Sequence, residues 1–214
     1  MENLPKLQLA LDNVDLQSAL HITQLTFPYI DVIEVGTVLC LAEGMNAVRM
    51  MRTLYPDHII LADVRIIKAG GLIALLCFEA GANWVSVVSD ASLETITAVT
   101  HQSHLHNGDV QIELNNNWTL AQARQWRELG ITQVVLHHSQ EANSVSKRWQ
   151  QSDFDTIHTL ADMGFKVTVT GGITLEDIAI LKQHPIFVII AGRAIRNAPD
   201  PLSAARQFSE AIRS

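Results

Sequence analysis

The sequence predicts a closed (β/α)8 TIM barrel, and three observations carry the prediction. Short β-branched runs alternate with longer segments of helical period along the chain, the pattern of parallel strands joined by crossover helices. Most of the runs are nearly continuous apolar stretches, as strands covered on both faces require. An open sheet that binds a dinucleotide needs a G-x-G-x-x-G turn after its first strand, and Leu11-Asp12-Asn13 stands there instead. The 214 residues lie near the low end of the barrel range and read as one domain over 1–214.

Strands are expected at 7–12, 32–36, 59–65, 84–88, 110–114, 133–137, 166–170 and 187–192. Amphipathic segments fall between them at 18–27, 44–54, 120–129, 153–163 and 175–182. A last one at 203–212 closes the chain after Asn197-Ala198-Pro199-Asp200-Pro201. Thr174 ahead of Leu175-Glu176-Asp177 supplies a capping acceptor and then acids that complement the helix dipole. Gly130 and Gly164 follow Leu129 and Met163, where the chain leaves a helix and left-handed backbone costs glycine little.

Apolar residues make up 48% and charged residues 17%, enough for a large core and against disorder. The 15 basic and 22 acidic residues leave a net charge of −7, spread along the chain. That balance argues against nucleic acid or an anionic membrane as partner, since either needs a net basic face, but permits a basic pocket for one phosphate. Cys40 and Cys77 lie in apolar sequence and read as buried free thiols of a reducing compartment. Met1-Glu2-Asn3-Leu4-Pro5-Lys6 lacks a secretory pattern, and no apolar run approaches the ~20 residues of a membrane helix. A cytoplasmic location is expected.

The C-terminal ends of barrel strands converge on one mouth, so polar residues there are site candidates. Asp12, Glu34, Asp63 with Arg65, Glu113 and His137 fall late in five different runs, in sequence where an unpaired charge is costly to bury. Asp63 and Arg65 are two residues apart and share a strand face, with Glu34 on the neighbouring strand. Two carboxylates can hold a hard cation such as Mg²⁺; alternatively Arg65 and nearby Lys68 neutralise both without a metal. The strongest local signal comes late. Thr170-Gly171-Gly172-Ile173 and Ala191-Gly192-Arg193-Ala194 place glycines and an arginine after the last two strands, where barrels commonly hold phosphate. His101, His104 and His106 read as an exposed helix end, and Trp118, Trp126 and Trp149 as packing residues. No G-x-S-x-G or Cys/His nucleophile pattern supports covalent hydrolysis.

Several motifs spread over almost the whole chain act together: Leu7-Gln8-Leu9-Ala10-Leu11-Asp12, Ile33-Glu34-Val35-Gly36-Thr37, Leu61-Ala62-Asp63, Phe78-Glu79-Ala80-Gly81-Ala82, Gln111-Ile112-Glu113-Leu114, Thr170-Gly171-Gly172 and Ala191-Gly192-Arg193. In this set the sequence resembles the 3-keto-L-gulonate-6-phosphate decarboxylases of the orotidine 5′-phosphate decarboxylase superfamily. The related 3-hexulose-6-phosphate synthases share several motifs, but Gln111-Ile112-Glu113-Leu114, Asn117-Trp118-Thr119 and Trp126 look more like the decarboxylase branch. The resemblance implies a barrel of the ribulose-phosphate-binding type that decarboxylates a β-keto sugar-acid phosphate through an enediolate to a pentulose phosphate, within L-ascorbate catabolism, with Mg²⁺ as cofactor. It implies Glu34 and Asp63 as metal ligands, and Asp12, Thr37, Glu113 and Gln140 as substrate contacts. His137 would help protonate the intermediate through water, and Gly171, Gly172, Gly192 and Arg193 would hold phosphate. A homodimer with active sites at the subunit interface is implied as well.

Three positions depart from the family pattern. Its third strand carries Asp-x-Lys-x-x-Asp, whereas Asp63-Val64-Arg65-Ile66-Ile67-Lys68 stands here. Its sixth strand is followed by His-x-x-Arg, against His137-His138-Ser139-Gln140. Formal charges at Glu34, Asp63, Arg65 and Lys68 therefore sum to zero, where the family pattern gives −2. Arg65 and Lys68, counted with Asp63 and His137 as catalytic, lead to an expectation of weakened or altered decarboxylase activity. Aldol addition of formaldehyde to ribulose 5-phosphate also passes through an enediolate and is the alternative reaction. Non-catalytic binding of a sugar phosphate is the alternative class.

Overall fold

Eight parallel strands close on themselves in sequence order in the computed structural model, which describes residues 4–138 and 149–214. The first half runs β1 (Lys6–Leu11), α1 (Leu16–Thr26), β2 (Val32–Val35), α2 (Thr37–Glu43), α3 (Met45–Leu54), β3 (Ile59–Ile66), α4 (Gly70–Glu79), β4 (Trp84–Val88) and α5 (Leu93–Leu105). The second half runs β5 (Asp109–Leu114), α6 (Leu120–Glu128), β6 (Gln133–His137), α7 (Gln151–Asp162), β7 (Lys166–Thr170), α8 (Leu175–Leu181), β8 (Ile186–Ala191), α9 (Arg193–Arg196) and α10 (Pro201–Arg213). Closure is made by β1 on β8, with Lys6 opposite Val188 and Leu9 opposite Ala191. The predicted barrel is the observed one.

Alternation along each strand sorts its side chains into two cores. Outward residues such as Leu7, Leu9, Ile33 and Ile112 pack under the helices, where Trp126 and Phe208 are also buried. Inward residues Ala10, Val32, Leu61, Trp84, Val135, Val188 and Ile190 fill the lower barrel. At its floor Trp84 meets Phe187 at 6.1 Å between ring centroids, and the Lys166 ammonium lies 5.3 Å over Phe187. Polar side chains enter the interior beside this plug: Gln111 donates to Gln133 (2.9 Å), and Gln133, at the start of β6, donates to Asp109 (2.7 Å), at the start of β5.

Helix ends follow the expected chemistry. Gly130 and Gly164 adopt φ of +87° and +88°, and Thr174 with Asp177 forms a reciprocal capping box on α8. The boundaries shift where local capping overrides periodicity. Asp15 accepts from the Ser18 N–H at 2.7 Å and starts α1 at Leu16, while Asp200 and Pro201 start α10. The helices α2, α4, α5 and α9 lie outside the amphipathic segments marked above. In α4 the reason is plain: two glycines open it and Leu72 and Leu76 occupy its outer face, so no polar side offsets the apolar one. Cys40 and Cys77 are free and buried, as expected. No helix of the described residues is long and apolar enough to cross a membrane.

Gly36, between β2 and α2, packs directly under the Asp12 carboxylate, and a Cβ there would stand 2.9 Å from the Leu11 carbonyl oxygen. Gly36→Ala should therefore lower stability by about 1–3 kcal/mol, because the neighbour that must yield is backbone. Chemical denaturation of the two proteins measures the difference.

Candidate active site

The strand ends surround one cavity of about 1160 Å³. Asp12, Glu34, Asp63, Arg65, Glu113 and His137 line it on the β1-to-β6 side, and Gly171, Gly172, Gly192 and Arg193 on the β7–β8 side. Two sets of residues far apart in sequence thus share one space. Gln140 lies outside the described residues.

The acidic side is organised around Asp63, which is 2% exposed. Its Oδ1 accepts from the Ser86 hydroxyl at 2.7 Å and its Oδ2 from the Thr37 hydroxyl at 2.7 Å. Ser86 in turn accepts the Arg65 backbone N–H at 2.8 Å. This bond pins a bulge: the β3–β4 register shifts between Ala62 and Ile66, and Arg65 takes φ of +46°, rare for a residue with a side chain. The bulge carries the guanidinium back over the strand end, with Nε 3.5 Å from Asp63 and 3.3 Å from Glu113. His137 Nε2 stands 3.7 Å from the same Glu113 oxygen.

Charge is not balanced evenly among the acids. Arg65 serves Asp63 and Glu113, whereas no cation stands within ion-pair distance of Glu34 among the described residues. Glu34 is buried and accepts from the Gln8 amide at 2.6 Å. Burial, then the charge of Asp63, pushes its pKa well above the ordinary value. Burial also raises Glu113, against the opposing pull of His137 and Arg65. Burial disfavours the charge on Arg65, but Glu113 and Asp63 outweigh it and the guanidinium stays protonated.

A hard cation fits this arrangement. Glu34 is an oxygen donor with no cation beside it among the described residues, Asp63 is a second carboxylate close enough to raise its pKa, and the Gln8 carbonyl oxygen next to Glu34 is buried with no partner among the described residues. No group of three or more His, Cys, Asp or Glu residues could hold a metal among the described residues. Mg²⁺ characteristically takes one or two carboxylates and fills its shell with water and substrate oxygens.

Lys68 departs from the role in which it neutralises these acids. It is exposed on the loop after β3, does not line the cavity, and pairs with no carboxylate among the described residues. Thr37 also stands outside the cavity lining and reaches the site through Asp63.

The opposite side is built from backbone. Gly171 and Gly172 have φ of +120° and +76°, and a Cβ at Gly171 would lie 2.8 Å from the His138 Cβ. Arg193 follows β8 on this side, Arg196 lines the cavity one helical turn later, and neither has a carboxylate within ion-pair distance among the described residues. Trp149 packs against the core, as expected, and has a second part besides. It lines the cavity and stacks on His138 at 4.7 Å between centroids. Ser86, Gln8, His138 and Arg196 escaped the sequence reading as well; only the inward alternation on β1 and β4 hinted at the first two.

A sequence profile of the orotidine 5′-phosphate decarboxylase / HUMPS family matches residues 5–208. The chain belongs to this family. Within the family it is 50% identical over 210 residues to 3-keto-L-gulonate-6-phosphate decarboxylase UlaD of Escherichia coli O139:H28, covering 98% of this chain and 97% of that protein. The crystal structure of KGPDC from Streptococcus mutans in complex with D-R5P superposes with a TM-score of 0.93 at 36% identity, covering 98% of this chain and 97% of that one. A 3-hexulose-6-phosphate synthase from Salmonella typhimurium is a more distant member, with a TM-score of 0.87 at 28% identity over 97% of this chain and 98% of that one.

Because the folded pKa of Glu34 lies above the ordinary 4.5, the folded protein keeps a proton that the unfolded chain releases. Stability of the metal-free protein should then fall as pH rises above that value, until Glu34 is ionised in both states. Thermal melts across pH should show this slope reduced in Glu34→Gln, with the variant melting higher than the parent at about pH 8.

Proposed function

We propose that the chain decarboxylates 3-keto-L-gulonate 6-phosphate to L-xylulose 5-phosphate and CO2, with Arg65 in the place of the family's lysine. One observation carries the reading. A single cavity holds buried carboxylates at one end and, at the other, glycine turns with two arginines that no carboxylate neutralises among the described residues. A substrate with a phosphate at one end and a reacting keto acid at the other matches that polarity. The 50% identity to UlaD over nearly the whole chain supports this substrate over that of the more distant synthase.

In this reading Gly171, Gly172, Gly192 and Arg193 hold the phosphate, and Asp12 and Glu113 orient the substrate's hydroxyls. Glu34 and Asp63 would hold Mg²⁺, which when bound supplies Lewis-acid stabilisation of negative oxygen. Thr37 and Ser86 keep Asp63 aimed. The bond from the carboxyl carbon to its neighbour breaks, CO2 leaves, and the electron pair passes into the adjacent carbonyl as an enediolate. Arg65 stabilises that charge electrostatically but cannot supply the proton, since Glu113 and Asp63 hold the guanidinium in its charged form. The proton reaches carbon from water oriented by His137 beside Glu113. Gln140 in place of a family arginine removes one further cation, which is the basis for a weakened rate.

CO2 release from 3-keto-L-gulonate 6-phosphate with added Mg²⁺ tests the activity, and no turnover above buffer rejects it. The triple variant Arg65→Lys/Lys68→Asp/Gln140→Arg should exceed the parent by roughly 10²–10³, the scale of a preorganised catalytic charge. Asp63→Asn should lose a comparable factor. Hexulose phosphate formed from formaldehyde and ribulose 5-phosphate at a higher rate than CO2 release would favour the synthase reaction instead.

A homodimer completes the proposal. The helices α2 and α4 follow the neighbouring strands β2 and β3 and expose Val38, Leu41, Leu72 and Leu76, with Ile67 exposed between them. A second copy covers apolar surface of this kind. Lys68 follows Ile67 on the same face, which would present it to the partner rather than to its own acids. Sedimentation should show a dimer for the parent and a monomer for Leu41→Glu/Leu72→Glu.

A further inference from the structure

Arg196 is the cavity-lining cation that neither the acidic cluster nor the glycine loops account for. It ends α9, one turn after Arg193, and is more buried than Arg193. Its Nε is buried without a hydrogen-bond partner, and no carboxylate lies within ion-pair distance, among the described residues. A charged N–H withdrawn from water without an acceptor is costly, so the position calls for an acceptor the chain does not provide.

The surroundings indicate what that acceptor is. Arg196 and Asp12 line both the main cavity and a second, shallower space of about 410 Å³ bordered by Asn13, Ser18 and His21. In this space the Asn13 side-chain oxygen is also buried and lacks a donor among the described residues. A wall offering an unmatched donor and an unmatched acceptor suits an anion with water or a hydroxyl beside it. The short helix α9 packs on β1, so Arg196 reaches the mouth from the β1 side, while Gly171 and Gly172 reach it from β7.

Resting on the phosphate-ester reading above, we propose that Arg196 is a second anion-binding residue of the site, which together with Arg193 selects a phosphate monoester dianion. Water or a hydroxyl held by Asn13 completes the contact. Two guanidiniums favour the doubly charged group over a singly charged carboxylate or a neutral sugar end.

Isothermal titration with inorganic phosphate, ribitol 5-phosphate and ribitol tests the assignment on the parent, Arg196→Met and Arg196→Lys. Arg196→Met should weaken phosphate and ribitol 5-phosphate by about 10- to 100-fold and leave ribitol unchanged, with Arg196→Lys between the two. Its ligand-free melting temperature should be unchanged or higher, because a buried N–H without an acceptor has been removed; a purely structural arginine would lower it. Parent-like phosphate binding by Arg196→Met overturns this assignment alone. Failure of the parent to bind either phosphate probe overturns the phosphate-ester reading with it.

Discussion

The structure of the site follows from one electrostatic constraint: acids from β1, β2, β3 and β5 converge on one cavity, and a single guanidinium is shared among them. Arg65 can pair with Asp63 and Glu113 because they flank the bulge that carries it. Glu34 is left buried against an amide and against the charge of Asp63. A low-dielectric pocket with uncompensated negative charge makes a divalent ion, a proton and an added cation competitors for the same place. The family pattern puts lysine where Arg65 stands. Here the guanidinium Nε stands near two carboxylates at once, which ties the group to the protein.

The barrel makes this cluster tolerable by arranging what lies beneath and beside it. An aromatic and aliphatic plug closes the lower interior, and hydrogen bonds from Gln111 to Gln133 and from Gln133 to Asp109 satisfy polar groups buried beside it. The hydroxyls of Ser86 and Thr37 occupy both oxygens of Asp63 and so fix its direction before any ligand arrives. On the far side the backbone plays the equivalent part. Left-handed glycines pack against His138, which is stacked on Trp149, and two arginines without a carboxylate partner among the described residues line the same cavity. Charge separation across the cavity gives a substrate one favourable orientation.

Much of this was legible in the chain. Eight apolar runs and the glycines after the helices identified the barrel, and the charged residues at the ends of five runs are the ones that meet around the acidic side. The exposed leucines of α4 hid a helix, since amphipathicity is readable only where the outer face meets water. Lys68 and Arg65 looked interchangeable as neutralisers because spacing along a strand does not reveal a bulge. Ser86, Gln8 and Trp149 are ordinary residues in apolar or irregular sequence, and only their neighbours in space give them a part.

Residue types and their period determined the closed parallel barrel, the end of it that bears the chemistry, and the membership that places the chain beside sugar-phosphate decarboxylases. The tertiary structure alone decided which acid goes without a partner, which cation faces the acids, and that Arg196 lines the same cavity. These depend on distances between side chains from different strands. Such distances are set by register, by one left-handed residue in β3 and by the curvature of the barrel, none of which is encoded in any local stretch of sequence.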